Sequence, residues 1–247
     1  IRDRQRSHDI IDMDECLIQD DIHNEVMNKV RDWLNELQVS IYNERKKKGI
    51  VRHVVIRAGH HTGELMVIFV TNGRKLKQSQ TLVDRLVATF PNITSIKQNI
   101  NQTHSNVIMG DESVTLYGKD QIEDTLSDVR FKISDQSFYQ INTSQTEKLY
   151  QKAIDYAALS GEETVLDTYC GIGTIGLYMA PQAKHVYGVE VVPEAITDAK
   201  ENATINGYQN TTFVCGKAEE VILDWQSNGI KPDVVMVDPP RKGCDET

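Results

Sequence analysis

The spacing of apolar residues changes character near residue 128. Before it, residues 21–37 put Ile22, Val26, Val30, Trp33, Leu34 and Leu37 on one face at the period of an amphipathic helix, and Asp20 or Asp21 stands where it can cap the start. Residues 52–57 and 64–71 are rich in Val and Ile, which predicts two strands joined by a hairpin loop over 58–63. A second helix is predicted over 79–90, stopped by Pro91, with further strands near 94–99, 106–109 and 114–117. Residues 1–128 therefore read as an α+β domain.

After it, strand and helix alternate. A helix over 143–157 leads to a strand over 164–169, then a glycine-rich turn and a helix near 175–180. A strand over 185–191, a helix over 193–206, a strand over 211–215, a helical stretch near 217–227 and a strand over 233–238 follow. Such alternation predicts a parallel sheet covered by helices. The expected fold class is α/β: a Rossmann-like sheet in residues 129–247 that stops after its fourth strand, preceded by the α+β domain. We find no internal repeat and no low-complexity segment.

The chemistry gathers where the first strand of the second half meets its helix, at Asp167-Thr-Tyr-Cys-Gly-Ile-Gly-Thr-Ile-Gly176. Gly171 and Gly173 let the backbone turn tightly and approach a ligand at the strand's C-terminal edge. Gly171, Gly173 and Gly176 also satisfy G-x-G-x-x-G, and Glu190 lies 19 residues after Gly171. A nicotinamide-dependent oxidoreductase therefore stays open. Two features favour S-adenosylmethionine instead. Asp167 stands where a carboxylate can reach a cationic amino-acid moiety, and Glu190 ends the second strand, where a carboxylate can accept two ribose hydroxyls. The fourth strand ends in Asp238-Pro-Pro-Arg241, whose prolines cannot continue the ladder, so Asp238 is expected to face the crevice beside the cofactor.

Charge adds a partner class. The net charge of −9 is mildly unfavourable for binding nucleic acid. Residues 41–80 nevertheless hold nine Lys/Arg and two acids, a net +7 that leaves −16 for the rest. Such a patch can track phosphates or be a solvated face. Four cysteines, Cys16, Cys170, Cys215 and Cys244, include no C-x-x-C pair, so neither a disulfide framework nor a complete zinc site is indicated. Cys170 is expected to be a packed loop thiol and Cys215 a buried strand residue. No apolar run reaches the roughly 20 residues that span a bilayer. The charged start, Ile1-Arg2-Asp3-Arg4, lacks Met and a signal peptide, so an internal start, a cytoplasmic location and no membrane partner are expected.

Together Ser137-Phe-Tyr-Gln-Ile-Asn142, Asp167-Thr-Tyr-Cys-Gly-Ile-Gly173 and Asp238-Pro-Pro-Arg-Lys-Gly243 resemble the RNA uracil-5-methyltransferase family, whose members make 5-methyluridine in ribosomal and transfer RNA. Ser7-His-Asp-Ile-Ile-Asp12 and Arg52-His-Val-Val-Ile-Arg57 look most like the 23S ribosomal RNA enzymes of Gram-positive bacteria. The resemblance implies S-adenosyl-L-methionine as cofactor, contacted by Gln140, Tyr169, Glu190 and Asp238, with Asp167, Gly171 and Gly173 in the loop, and less firmly by Thr174 and Lys217. It implies RNA as partner, with Phe138 against a flipped-out uracil and Arg45, Lys46, Lys47, Lys48, Arg52, Arg57 and Arg241 as substrate contacts.

The resemblance also implies what lies elsewhere. Uracil C5 is a poor nucleophile until a thiolate adds to C6, and a base must later remove the C5 proton. In the family both groups fall later than the Asp-Pro-Pro-Arg turn, beyond the position of Thr247. Cys244 stands too close to that turn to match the cysteine motif. No catalytic residue is therefore expected within this chain, which reads as an inactive fragment lacking both ends. Many family members hold an iron-sulfur cluster through four cysteines. Cys16 matches the fourth, and one cysteine cannot hold a cluster. Other readings remain: a tRNA uracil-5-methyltransferase, an adenine amino-group methyltransferase, whose motif usually has an aromatic where Arg241 stands, and a non-catalytic RNA-binding module.

Overall fold

The structure, a computed structural model, describes residues 14–16, 19–105, 107–140, 142–239 and 243. Ser7 to Asp12, Arg241 and Cys244 lie outside them. The chain divides into two compact units. The first is Ile1–Gly59 with Gly63–Ile122; the second is His60–Thr62 with Glu123–Thr247.

In the first unit, helix α1 (Asp21–Glu36) precedes strands β1 (Val51–Ala58) and β2 (Leu65–Thr71), helix α2 (Ser79–Thr89), and strands β3 (Ile93–Ile100) and β4 (Glu112–Gly118). The sheet order is β1-β2-β3-β4. β1–β2 and β3–β4 are antiparallel, and β2–β3 are parallel, joined by the α2 crossover. Val26, Val30 and Leu34 of α1 are buried, and Ile22, Trp33 and Leu37 pack against the same cluster, so the apolar face expected from periodicity is the face that docks. Asp20 occupies the N-cap position with no side-chain cap hydrogen bond, and its carbonyl accepts the His23 N–H at 2.9 Å.

One expected strand is absent. Val107–Met109 form no strand, because side chains rather than a ladder satisfy this loop. Asn101 Nδ2 donates to the Val107 and Ile108 carbonyls at 2.8 and 2.9 Å, and Asn99 clasps Gly110 through both amide atoms. An uncovered amide or carbonyl in a loop needs such partners.

The second unit opens on two strands beyond those expected, β5 (Ile122–Leu126) and β6 (Val129–Ile133), paired with each other. Their burial alternates, as a half-buried hairpin requires. Because β6 is held by α5 (Pro193–Ile205), the division falls after Ile122 rather than after Asp128. Helix α3 (Thr143–Ala157) follows. Then come β7 (Thr164–Thr168), α4 (Thr174–Met179), β8 (His185–Glu190), α5, β9 (Thr211–Cys215), α6 (Ala218–Ser227) and β10 (Val234–Val237).

All pairings in this second sheet are parallel, in the order β10-β7-β8-β9. Leu166, Tyr187, Val189 and Val214 face α6, while the alternate residues Gly188 and Phe213 face α4 and α5. Helices thus cover both sides of the sheet. Among the described residues β10 pairs on one edge only, and Val235 and Val237 are half exposed. No described helix is long and apolar enough to cross a membrane.

Candidate functional site

The chain runs β7, β8, β9 in one direction and then returns to place β10 on the far side of β7. That reversal puts a crevice at the C-terminal ends of β7 and β10, the switch point where open parallel sheets bind ligands. The turn after β7 is built for close approach. Tyr169, Gly171 and Gly173 all have positive φ, at 62°, 56° and 81°. Tyr169 adopts this conformation without being glycine, at a cost on the order of 1 kcal/mol. Among the described residues a Cβ added at Gly171 would meet nothing within 4 Å, which leaves open space above it; one at Gly173 would press Leu177, Phe213 and Ala199 at 3.1–3.3 Å.

Two carboxylates brace this turn from below. Asp167 is buried, and its Oδ2 accepts the Gly176 N–H at 2.9 Å. Glu190 Oε2 accepts the Gly171 N–H at 3.3 Å, and Oε1 accepts Val191 and Val192 N–H at 2.7 and 3.1 Å. Burial raises the Asp167 pKa to about 7; the Gly176 amide opposes the rise, and Asp238 and Glu190 add to it. Every charged neighbour acting on Asp167 is therefore acidic. Asp238 itself is exposed at the end of β10. Tyr150 of α3, not among the expected site residues, is buried beside Asp167 and Asp238. Its hydroxyl is pushed above the usual phenol range by burial, then by Asp167 and Asp238, and is hydrogen-bonded to Thr174. No local pattern marks Tyr150, because only the packing of α3 brings it there.

The segment before α3 divides its roles residue by residue. Ser137 Oγ donates to Asp198 Oδ2 at 2.7 Å, Tyr139 O–H donates to Asp124 Oδ2 at 3.1 Å, and Asn142 caps α3 by accepting the Gln145 N–H. Asp124 is fully buried and also accepts the His61 N–H. The tyrosine hydroxyl is held well above its usual pKa, first by burial and then by Asp124, so it remains a donor. Between these anchors Phe138 is 71% exposed. Gln140 is half-buried, and its side chain makes no hydrogen bond to another described residue. Phe138 and Gln140, the positions of this segment expected to meet ligands, carry no such anchor among the described residues.

The basic residues of the first unit separate into two kinds. Arg45, Lys46, Lys47 and Lys48 form the exposed tip of a tight turn, closed by Asn43 N–H to the Lys48 carbonyl at 2.7 Å and by Lys46 N–H to Asn43 Oδ1 at 2.9 Å. Arg52 is different. Its Nη1 donates to the Asn101 and Thr103 carbonyls at 2.8 and 2.6 Å, and its guanidinium lies 4.7 Å from the Tyr42 ring centroid. Arg52, expected to meet phosphate, thus holds the loop after β3 through Nη1. Arg57 is half-buried on β1.

The cysteines are dispersed. Cys170 is buried, and its thiol is pushed above the ordinary range by burial and then by Asp167 and Glu190. Cys215 is exposed, not buried as expected, because β9 is an edge strand. Cys16 is half-buried in the first unit. Among the described residues no group of three or more His, Cys, Asp or Glu could hold a metal ion.

The crevice fits the group that the sequence implies. Its donor set is carboxylate and backbone amide, suited to a cationic sulfonium-bearing nucleoside, and its turn leaves open space above Gly171. Residues 159–238 match a family model described as a methyltransferase domain. The chain is 74% identical over 244 residues to an uncharacterized RNA methyltransferase of Staphylococcus epidermidis (strain ATCC 12228 / FDA PCI 1200), covering 99% of this chain and 54% of that protein. An uncharacterized RNA methyltransferase of Staphylococcus aureus (strain MSSA476) is 72% identical with the same coverage. The chain thus spans about half the length of the curated relatives it matches. Among solved structures, the tRNA (uracil-54, C5)-methyltransferase of Pyrococcus abyssi in complex with S-adenosyl-L-homocysteine aligns with a TM-score of 0.78 at 31% identity, over 98% of this chain and 56% of that one. The second unit therefore has the α/β, Rossmann-like fold of S-adenosylmethionine-dependent methyltransferases.

Proposed function

We propose that this chain carries the S-adenosylmethionine site of an RNA methyltransferase that acts at C5 of uridine, with ribosomal RNA as its substrate class. The observation that carries the reading is the convergence of Asp167, Glu190 and Asp238 on the open glycine turn at the sheet's switch point. A field of three acids favours a ligand with an ammonium and a sulfonium. It disfavours the pyrophosphate of a dinucleotide, which sets the oxidoreductase reading aside.

S-adenosylmethionine supplies an electrophilic methyl group when bound. In this proposal Gly171 admits the nucleoside, Glu190 receives its ribose hydroxyls, and Tyr169 packs against it. Asp238 and Gln140 orient polar groups, and Phe138 stacks on the extruded base. The exposed turn Arg45–Lys48 contributes phosphate contacts, with Arg57 and Arg241 in the same role. In this proposal Cys170 is not the thiolate that must add to C6, because burial pushes its thiol above the ordinary range.

A second reading is transfer RNA, which the likeness to the Pyrococcus abyssi enzyme favours. The ribosomal reading rests on the resemblance of residues 7–12 and 52–57. The test is methyl transfer from labelled S-adenosylmethionine to unmodified ribosomal and transfer RNA, with digestion to nucleosides, using protein that contains this chain. Label in 5-methyluridine from ribosomal RNA is expected. Label only from transfer RNA selects the second reading. Label in adenosine overturns C5 chemistry, and RNA binding without cofactor binding leaves a binding module.

A further inference from the structure

Helix α5 does something that neither its apolar face nor the glycine turn announces. Asp198, Asn202 and Asn206 are spaced four apart, so they lie in one row along the helix. That row meets the free edge of β6. Asn206 accepts the Arg130 N–H at 2.9 Å and donates to the Arg130 carbonyl at 2.7 Å. Asn202 accepts the Lys132 N–H at 2.8 Å and donates to the Lys132 carbonyl at 3.4 Å. Asp198 takes the next position, accepting from Ser134 Oγ and Ser137 Oγ at 2.8 and 2.7 Å. The match has a metric reason: four helical residues rise about 6 Å, and two strand residues about 6.6 Å. Side-chain amides thus stand in for a neighbouring strand.

Asn202 differs from its neighbours in one respect. It is fully buried, and its Nδ2 also donates to the Ile172 carbonyl at 3.4 Å, between Gly171 and Gly173. A single amide therefore holds the glycine turn on one side and β6 on the other. β6 leads into the Ser137 anchor and then to Phe138 and Gln140. We propose that Asn202 is a positioning residue that couples the two halves of the site: an adenosyl amino-acid ligand, the sulfonium cofactor or its thioether product, seated on the glycine turn orders the segment that presents Phe138 and Gln140. This rests on the cofactor reading above. Asn206 is the internal control, because it makes the same bidentate contact with β6 and no described contact with the glycine turn.

The test is amide hydrogen exchange on the chain with and without S-adenosylhomocysteine, alongside thermal unfolding. In the wild type, ligand is expected to slow exchange both at 171–176 and at 134–140. Asn202→Ala should speed exchange at 171–176 without ligand by about fivefold, the loss of one ordinary hydrogen bond, and should abolish ligand protection at 134–140. Asn206→Ala should lower the unfolding temperature and leave both effects intact. Asn202→Ser serves if the alanine variant does not fold, and the wild-type comparison stands without either. Ligand protection at 171–176 with none at 134–140 in the wild type overturns the coupling alone. Retention of both effects in the Asn202 variants overturns the role of Asn202. No ligand protection anywhere in the wild type overturns the cofactor reading, and the coupling with it.

Discussion

The carboxylate of Asp167 accepts the amide proton of Gly176 at 2.9 Å, so an acid buried under the sheet's edge is held by the first turn of the helix that follows it. Its pKa, raised to about 7 by burial, stands above the unfolded value of 3.8. Between those values the folded state binds the extra proton, so stability must fall as pH rises from about 4 to about 7 and level off above. Asp167→Asn keeps an acceptor for Gly176 and removes the charge. Urea unfolding across pH 4–8 is expected to show a falling stability for the wild type and a flatter profile for Asp167→Asn. Parallel profiles would mean that another group carries the dependence.

The same acid makes ligand binding proton-linked. A cation seated above the glycine turn stabilises ionised Asp167 and lowers its pKa, so binding of S-adenosylmethionine near pH 6 should release a proton. S-adenosylhomocysteine lacks the sulfonium charge and should release less. Calorimetry in two buffers of different ionisation enthalpy measures the difference. Equal proton release by the two ligands would place the sulfonium away from Asp167.

Glu190 has both a scaffold role and a proposed ligand role. Its oxygens hold the Gly171, Val191 and Val192 amides. Glu190→Ala is expected to weaken S-adenosylhomocysteine binding by roughly 1–3 kcal/mol, through lost ribose contacts and a loosened turn. Affinity equal to the wild type in calorimetry would remove Glu190 from the site.

The basic residues should separate in solution as they do in the structure. Replacing Lys46, Lys47 and Lys48 with Ala is expected to flatten the salt dependence of RNA binding and leave the unfolding temperature unchanged. Arg52→Ala should do the reverse. It releases the Asn101 and Thr103 carbonyls and destabilises the first unit by about 1–3 kcal/mol, with little change in the salt slope. A flattened slope in Arg52→Ala at unchanged stability would restore it as a phosphate contact.

Gly188 shows how closely β8 is packed against a ring of β9 and the turn after β7. A Cβ there would lie 2.4 Å from the Phe213 ring and 3.1 Å from Cys170 Sγ. Gly188→Ala should therefore destabilise the second unit by about 1–3 kcal/mol, read as a lower urea midpoint, since a packed ring cannot yield without displacing its neighbours. An unchanged midpoint would show that Phe213 moves freely.

By itself the sequence determined the parts whose physics is local. The apolar face of α1, the parallel strand–helix alternation, and a turn needing Gly171 and Gly173 all follow from backbone period and allowed φ. The β5–β6 alternation was equally legible in Ile122-Glu-Asp-Thr-Leu and Val129-Arg-Phe-Lys-Ile, but it straddled the point where a domain boundary was expected. Tertiary structure alone decided which polar residues serve the fold. The sequence offers Arg52 as a phosphate contact, and only the fold shows its carbonyl partners, 49 and 51 residues away. Ser137 and Tyr139 share a motif with Phe138 and Gln140, and only the fold shows that Asp198 and Asp124 hold them. Nothing near Asn202 in the chain predicts that its amide reaches both Lys132 and Ile172. Hydrogen-bond partners are chosen by which surfaces packing brings within about 3 Å, and that choice is made after the local periods have done their part.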